Sequence, residues 1–328
     1  MEKIKIGIVG YGNLGRGAEL SIMQSEDMEL SAIFTRRSVD DVKPVNAQVP
    51  VVHLDDVLEW KGKIDVMLLC GGSATDLPSQ SPQLVRNFNI VDSYDTHAKI
   101  PQHYESVNQA AKEGGWVGVI SVGWDPGLFS LLRLYGEAIL PKGETYTFWG
   151  SGVSQGHSDV IRRIDGVKGA VQYTIPIESA IERARAGDGK DLTTREKHLR
   201  DCYVVVDDGA DKEQIKNTIV NIPNYYADYD TKVTFISEEE LRRDHSEMPH
   251  GGFVIRSGET GLKGHRHVME YSLKIDSNPE LTSSVLVAYG RAAYRLKKKG
   301  RTGAVTCLDI PPGLLSPRTK EDLRKDLL

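Results

Sequence analysis

Lys3-Ile4-Lys5-Ile6-Gly7-Ile8-Val9 alternates apolar with small or polar residues as a short strand does, and it runs straight into Gly10-Tyr11-Gly12-Asn13-Leu14-Gly15. The residues that follow, Leu14 to about Ser25, read as a helix. A strand, a G-x-G-x-x-G turn and a helix together make the fingerprint of a dinucleotide site. Gly10 permits the tight turn, Gly12 lets the backbone approach a pyrophosphate, and Gly15 lets helix and strand pack closely. The helix N-terminus offers N–H groups to the phosphates.

A second apolar strand, Met28 to Phe34, ends in Thr35-Arg36-Arg37-Ser38. Sites that prefer NAD place Asp or Glu here to bond the ribose 2′-OH. A hydroxyl and two guanidiniums instead suit a 2′-phosphate through forked, charge-assisted hydrogen bonds, so the expected cofactor is NADP. Val66 to Cys70 is a continuous apolar run, as in a central parallel strand buried on both faces. It ends in a second glycine-rich turn, Cys70-Gly71-Gly72-Ser73-Ala74-Thr75, where open parallel sheets bind their ligands. A helix to about Arg86 and a strand, Phe88 to Val91, lead into Asp92-Ser93-Tyr94-Asp95-Thr96-His97. The helix Ile100 to Glu113 and the strand Trp116 to Val122 lead into Gly123-Trp124-Asp125-Pro126-Gly127. Asp95 and Asp125, at the ends of adjacent parallel strands, are expected to converge on the nicotinamide; the bland alternative is two solvated loop carboxylates.

From about Glu144 the alternation gives way to short strands with period-two patterning. In Val268 to Ile275, Met269, Tyr271, Leu273 and Ile275 share one face and Glu270, Ser272 and Lys274 the other, which implies an antiparallel sheet with one buried face. Thr231 to Ile236 and Gly252 to Ile255 are the expected neighbours, with charged helical stretches over Ile181 to Ala186 and Thr194 to Cys202. Asn278-Pro279-Glu280 and the apolar-periodic run to Leu296 and Gly300 signal a long helix that returns to the nucleotide domain. The expected fold is α/β: a Rossmann-type doubly wound parallel sheet (1–122 plus about 279–328) with a second α+β domain on a mainly antiparallel sheet (about 123–278).

Composition narrows the rest. The chain has 328 residues, 27% charged and 39% hydrophobic, with a net charge of −5. That describes a soluble globular protein and points to neither a nucleic-acid nor a membrane partner. No apolar run approaches a membrane span, and a strand at the very start leaves no room for a signal peptide. Three cysteines, Cys70, Cys202 and Cys307, lack C-x-x-C spacing and read as reduced thiols in a cytoplasmic protein. No metal-ligand spacing appears among the nine histidines; Gly264-His265-Arg266-His267 reads as surface.

Four stretches stand in a fixed order: the fingerprint with Thr35-Arg36-Arg37, Asp92-Ser93-Tyr94-Asp95, Gly123-Trp124-Asp125-Pro126-Gly127, and Phe148-Trp149-Gly150-Ser151-Gly152-Val153-Ser154-Gln155-Gly156-His157-Ser158-Asp159. With Pro249-His250-Gly251-Gly252 they resemble the meso-diaminopimelate dehydrogenase family, NADP-dependent amino-acid dehydrogenases of bacterial lysine metabolism, over nearly the whole chain. The resemblance implies reversible oxidative deamination of the D-centre of meso-2,6-diaminopimelate to L-2-amino-6-oxopimelate, which cyclises to tetrahydrodipicolinate. It places Asp95 and Asp125 around the reacting amino group as candidate general bases, with Trp124 as an apolar wall. Gln155 and Gly156 would hold the D-side carboxylate, and Phe148 and Trp149 would shape the pocket. Arg200, Thr174 and His250 would anchor the distal carboxylate, and Asn278 the distal amine. Read without the family, Arg200 is a surface arginine and His250 a loop histidine.

The cofactor contacts so implied are Gly10, Tyr11, Gly12, Asn13, Leu14, Gly15, Thr35, Arg36, Arg37, the turn Cys70, Gly71, Gly72, Ser73, Ala74, Thr75, and Asp92, Ser93 and Tyr94. A homodimer is implied by the resemblance alone. Two other readings stay open on the sequence: a different NADP-dependent imine or ketone reductase on the same scaffold, and a non-catalytic NADP-sensing regulator.

Overall fold

The computed structural model describes residues 3–328. The chain divides into two compact units, Met1–Leu131 with Pro279–Leu328, and Leu132–Asn278. The first cut falls inside a helix, Leu128–Ile139, and not at 122, where the strand pattern ends.

The first unit holds seven strands: β1 (Ile4–Val9), β2 (Met28–Thr35), β3 (Val51–His53), β4 (Val66–Leu69), β5 (Asn89–Asp92), β6 (Val117–Val119) and, far along the chain, β14 (Gly303–Val305). They form one sheet in the order β14-β6-β5-β4-β1-β2-β3, and every pairing is parallel. β1 pairs with β2 on one side and β4 on the other, so the strand order reverses there. The ends of β1 and β4 flank the crevice where such sheets take their ligands.

The apolar run of β4 is buried on both faces for a visible reason. Val66 and Leu68 join the core that packs on the helices Asn13–Met23 and Asn278–Lys298, through Ala18, Ile22, Leu286 and Tyr289. Met67 and Leu69 join the core on the opposite face, with Leu77, Val107 and Ala111 of two other helices. The long C-terminal helix thus returns to the parallel sheet, and Arg291 ties it there through a forked pair with Asp27 at 2.6 and 2.7 Å.

The second unit carries two sheets. β7 (Gly143–Trp149), β12 (His250–Thr260) and β13 (His265–Ile275) form an antiparallel sheet in the order β13-β12-β7. β8 (Gly152–Val153), β9 (Val167–Pro176), β10 (His198–Val206) and β11 (Asp230–Phe235) form the other, in the order β11-β10-β9-β8. Its pairings are antiparallel except β10 with β11.

Three expectations for this half change. The helix expected over Thr194 to Cys202 is one turn, Thr194–Lys197, and then strand. Its Thr193–Glu196 capping box is genuine, but the run Cys202-Tyr203-Val204-Val205-Val206 favours a pleated backbone. Thr231 to Phe235 belongs to the β10 sheet and not beside β13. The apolar face of β13 is also less covered than its alternation implies: Ile275 is buried, Met269 and Leu273 are half-buried, and Tyr271 is exposed. β13 is an edge strand with no neighbour on one side among the described residues. Among the described residues, no helix is long and apolar enough to cross a membrane.

Candidate active site

The first unit presents the nucleotide half. A Cβ on Gly15 would stand 2.2 Å from the Gly10 carbonyl oxygen, so only glycine lets the helix start this close to β1. At Gly12 the same test meets nothing within 4 Å. The open space beside that backbone is what an approaching pyrophosphate needs. Gly12 begins the helix Asn13–Met23 and makes no side-chain cap, and a helix start of this kind favours an anion.

The basic turn after β2 is organised, not merely solvated. The Thr35 hydroxyl accepts the Arg37 backbone N–H at 3.0 Å, and Arg37 Nη2 donates to the Tyr11 carbonyl at 2.9 Å. Arg36 Nη2 lies 2.8 Å from Asp76 Oδ1 while its side chain stays largely exposed. Asp76 Oδ2 accepts the Gly72 N–H at 2.8 Å, which couples the basic turn to the second glycine-rich turn. Glu19, fully buried, accepts the Tyr11 hydroxyl and the backbone N–H groups of Val45 and Asn46. Burial and this carboxylate push the Tyr11 phenol up to about 12, so it stays a neutral donor.

Two of the residues grouped with the cofactor turn their side chains to structural partners. Cys70 packs its side chain into the core, and burial pushes its thiol up to about 12. Asp92 is fully buried and its carboxylate is already used. It accepts from the Ser81 hydroxyl at 2.6 Å, from the backbone N–H of Ser121 at 2.9 Å and of Tyr94 at 3.1 Å, and it meets His103 Nε2 at 2.8 Å. Tyr94, buried, stacks on His103 with ring centroids 4.1 Å apart. Asp92 therefore braces two loops from within, one leading to Asp95 and one to Asp125. Ser121 adopts a left-handed φ of 56°, a conformation that costs a non-glycine residue free energy and persists because its surroundings hold it.

The two candidate bases differ in setting. Asp95 is exposed, and its N–H donates to the Ser73 hydroxyl of the glycine-rich turn at 2.9 Å. Asp125 is half-buried next to Trp124, which is buried edge-on against Phe129 at 5.3 Å. Both sit at the carboxyl ends of neighbouring strands β5 and β6 of one sheet.

The second unit presents a cation without a counter-ion. In register, Gly152 lies opposite Thr174 and Thr174 opposite Arg200, a row running across β8, β9 and β10. Arg200 is 5% exposed. Its Nη1 donates to the Thr174 hydroxyl, and its buried Nε has no partner. Among the described residues no carboxylate pairs with it, so burial holds the guanidinium below its ordinary pKa. An isolated buried charge is costly unless something pairs with it.

Its neighbours sharpen the point. His157 is pushed down to about 4 and His198 to about 3, each by burial first and by the Arg200 charge second. His250 is lowered as well, by burial foremost. Near neutrality all three rings are uncharged. His198 Nε2 accepts the Trp149 N–H at 2.9 Å, and His250 Nδ1 accepts the Gly251 N–H at 2.8 Å. What remains is one fixed positive charge in polar, neutral surroundings.

Thr174, Arg200 and His250 are thus brought together. Phe148 is fully buried and packs against Ala180 and Ile181, so it supports the site from behind, while Trp149 is exposed and stacks on His198 with centroids 5.6 Å apart. Gln155 and Gly156 are exposed at the start of the helix Gln155–Arg162. Asn278 is half-buried where the long helix begins, its N–H donating to the Met248 carbonyl at 3.0 Å.

Comparison with known proteins follows the same division. The Diaminopimelic acid dehydrogenase C-terminal domain family matches residues 123–277. The Meso-diaminopimelate D-dehydrogenase of Ureibacillus thermosphaericus is 61% identical over 328 residues, 100% of each chain. The chain belongs to the meso-diaminopimelate D-dehydrogenase family. The crystal structure of the C. glutamicum diaminopimelate dehydrogenase in complex with diaminopimelate superposes with a TM-score of 0.93 at 46% identity, covering 100% of each chain. An engineered D-amino acid dehydrogenase bound to NADP+ gives 0.87 at 45% identity, covering 99% of this chain and 100% of that one.

Several residues escaped the sequence reading: Asp76, Ser81, His103 and His198. His198 was within reach, because once Arg200 is placed on a strand, a residue two positions earlier shares its face. The others act across the fold, and nothing local marks them.

Proposed function

We propose that the chain reversibly oxidises the D-centre of meso-2,6-diaminopimelate in lysine biosynthesis, with NADP as hydride acceptor. The balance is one amino acid, NADP+ and water giving L-2-amino-6-oxopimelate, ammonium, NADPH and a proton. The observation that carries the reading is Arg200: a buried guanidinium beside the Thr174 hydroxyl with no carboxylate of its own. A substrate with a second carboxylate supplies the missing charge, and forked hydrogen bonding suits the pair.

The nucleotide half fits a phosphorylated dinucleotide: open space at Gly12, an uncapped helix start, and Thr35, Arg36 and Arg37 at the 2′ position. A nicotinamide bound there would supply the hydride acceptor for the D-carbon. The chain's own side chains do the rest. Arg200, with Thr174 and His250, holds the L-configured end, and Asn278 its amine, so the D-configured end is the one presented for oxidation. Gln155 and Gly156 hold the near carboxylate. Asp95 and Asp125 serve the two proton transfers, from the substrate ammonium before hydride loss and from the water that attacks the imine.

A regulator without chemistry would need neither carboxylate at a strand end nor a buried distal cation. The apolar residues Tyr271, Met269 and Leu273 on the uncovered face of β13 support a homodimer formed through that strand. Three buried free thiols suit a reducing compartment, and the cytoplasm is the proposed location.

The test is NADPH formation followed by absorbance with meso-diaminopimelate, the L,L isomer and D-lysine. Rapid turnover of the meso compound, none of the L,L isomer and slow turnover of D-lysine are expected. Inertness towards the meso compound ends the reading.

A further inference from the structure

We propose that Tyr229 is a positioning residue for the distal-carboxylate site: its ring is the platform that holds the Arg200 guanidinium in place and thereby sets selectivity for substrates with a second carboxylate. The inference rests on the reading above that Arg200 receives that carboxylate.

The guanidinium carbon of Arg200 lies over the Tyr229 ring, 3.8 Å from its centroid. All five guanidinium N–H bonds lie in the plane of the cation. A ring lying against a guanidinium face leaves the in-plane donors open and lays the negative face of its quadrupole on the charge. One donor goes to Thr174 and Nε has no partner. The in-plane edge is what remains for a ligand. Arginine on a strand otherwise has four flexible torsions, and one hydrogen bond to Thr174 does not by itself fix the plane of the head.

The placement of Tyr229 follows from register. Arg200 pairs with Thr231 in the parallel β10–β11 ladder. Tyr229 lies in the bend just before β11, two residues ahead of Thr231. The segment carrying it is fastened from several directions. The Tyr229 N–H donates to the Tyr226 carbonyl at 3.0 Å. The Tyr226 hydroxyl, fully buried, donates to the His157 carbonyl at 2.8 Å. Arg195 reaches Asp230 at 2.6 Å and the Ala227 carbonyl at 3.0 Å. A ring so held is a fixed surface, not a passing contact.

D-lysine is the matched probe, because it is meso-diaminopimelate without the distal carboxylate. The experiment compares kcat/KM for the two substrates, with NADP, in the full-length wild type, Tyr229→Leu, Tyr229→Phe and Arg200→Met. Tyr229→Leu is expected to lower kcat/KM for meso-diaminopimelate at least 10-fold, mostly through KM, and to change that for D-lysine less than about 3-fold, the D-lysine activity itself reporting a folded enzyme. Tyr229→Phe keeps the ring and is expected within about 3-fold of wild type on both. Equal losses on both substrates, or no loss on either, overturn the proposal. If Tyr229→Leu does not fold, Tyr229→Met, which restores volume without a π face, carries the same expectation and the same refutation. Arg200→Met separates the two layers. An unchanged substrate ratio there sinks the Arg200 reading. A changed ratio in Arg200→Met beside an unchanged one in the Tyr229 variants sinks the platform alone.

Discussion

Asp92 and His103 meet at 2.8 Å with both side chains almost wholly out of water, at the point where the loops leading to Asp95 and Asp125 leave neighbouring strands. Deleting the carboxylate strands the Ser81 hydroxyl, two backbone N–H groups and the imidazole at once. Asp92→Ala is expected to cost about 2–5 kcal/mol of stability, seen as a fall of several degrees in melting temperature, and to lower kcat at least about 10-fold through loop misplacement. Asp92→Asn is expected to be far milder. Its amide oxygen still accepts from Ser121 and Tyr94, and Ser81 and His103 can each accept from its NH2. Equal damage from both substitutions would mean that the negative charge, not the hydrogen-bond brace, is what matters.

The 2′-phosphate assignment predicts cofactor selectivity. Arg36→Ala with Arg37→Ala removes two charge-assisted partners of that group. KM for NADP should rise roughly 10-fold or more, while KM for NAD changes little. Equal effects on both cofactors would count against the assignment.

Proton transfer can be read from each carboxylate. Asp95→Asn and Asp125→Asn are each expected to lower kcat by about 10²–10⁴ if that group is the base, with the acid limb of its pH profile lost. A substitution that shifts only KM identifies a binding role for that residue instead.

The histidines around Arg200 predict a pH-dependent stability with a definite sign. His198 and His157, near 3 and 4 in the folded protein, ordinarily titrate near 6.5. Between those values the unfolded chain binds more protons than the folded one, so stability is full above about pH 6.5 and is lost as the pH falls. The slope is about 1.4 kcal/mol per pH unit for each such histidine inside the window. Melting temperatures at pH 7, 6 and 5 should fall together, and His198→Gln, which keeps an acceptor for the Trp149 N–H, should make the fall shallower. A flat profile in the wild type would show that these rings titrate in the fold as they do in the unfolded chain.

Much of the first unit is legible in the chain because its signals are local. A strand, a glycine turn and a helix start lie within fifteen residues, and β4 is uniformly apolar because helices cover both its faces. The second unit is less legible where local propensity and tertiary placement compete. A sound capping box at Thr193 and Glu196 suggests a helix, yet the β-branched run beyond Cys202 and pairing with β9 carry the chain into a strand. That choice decides where Arg200 points. Its isolation, the Tyr229 contact and the Asp92 brace depend on partners 11 to 29 residues away, and no sequence pattern announces them.

The central claim is that one end of the substrate is held at Arg200 so that the D-configured carbon alone is oxidised. The most direct measurement uses meso-diaminopimelate deuterated only at its D-centre, with the nicotinamide product analysed by mass spectrometry. Complete transfer of deuterium into NADPH, with the L-centre untouched, is the predicted result. Unlabelled NADPH alongside label retained in the amino-acid product would contradict it.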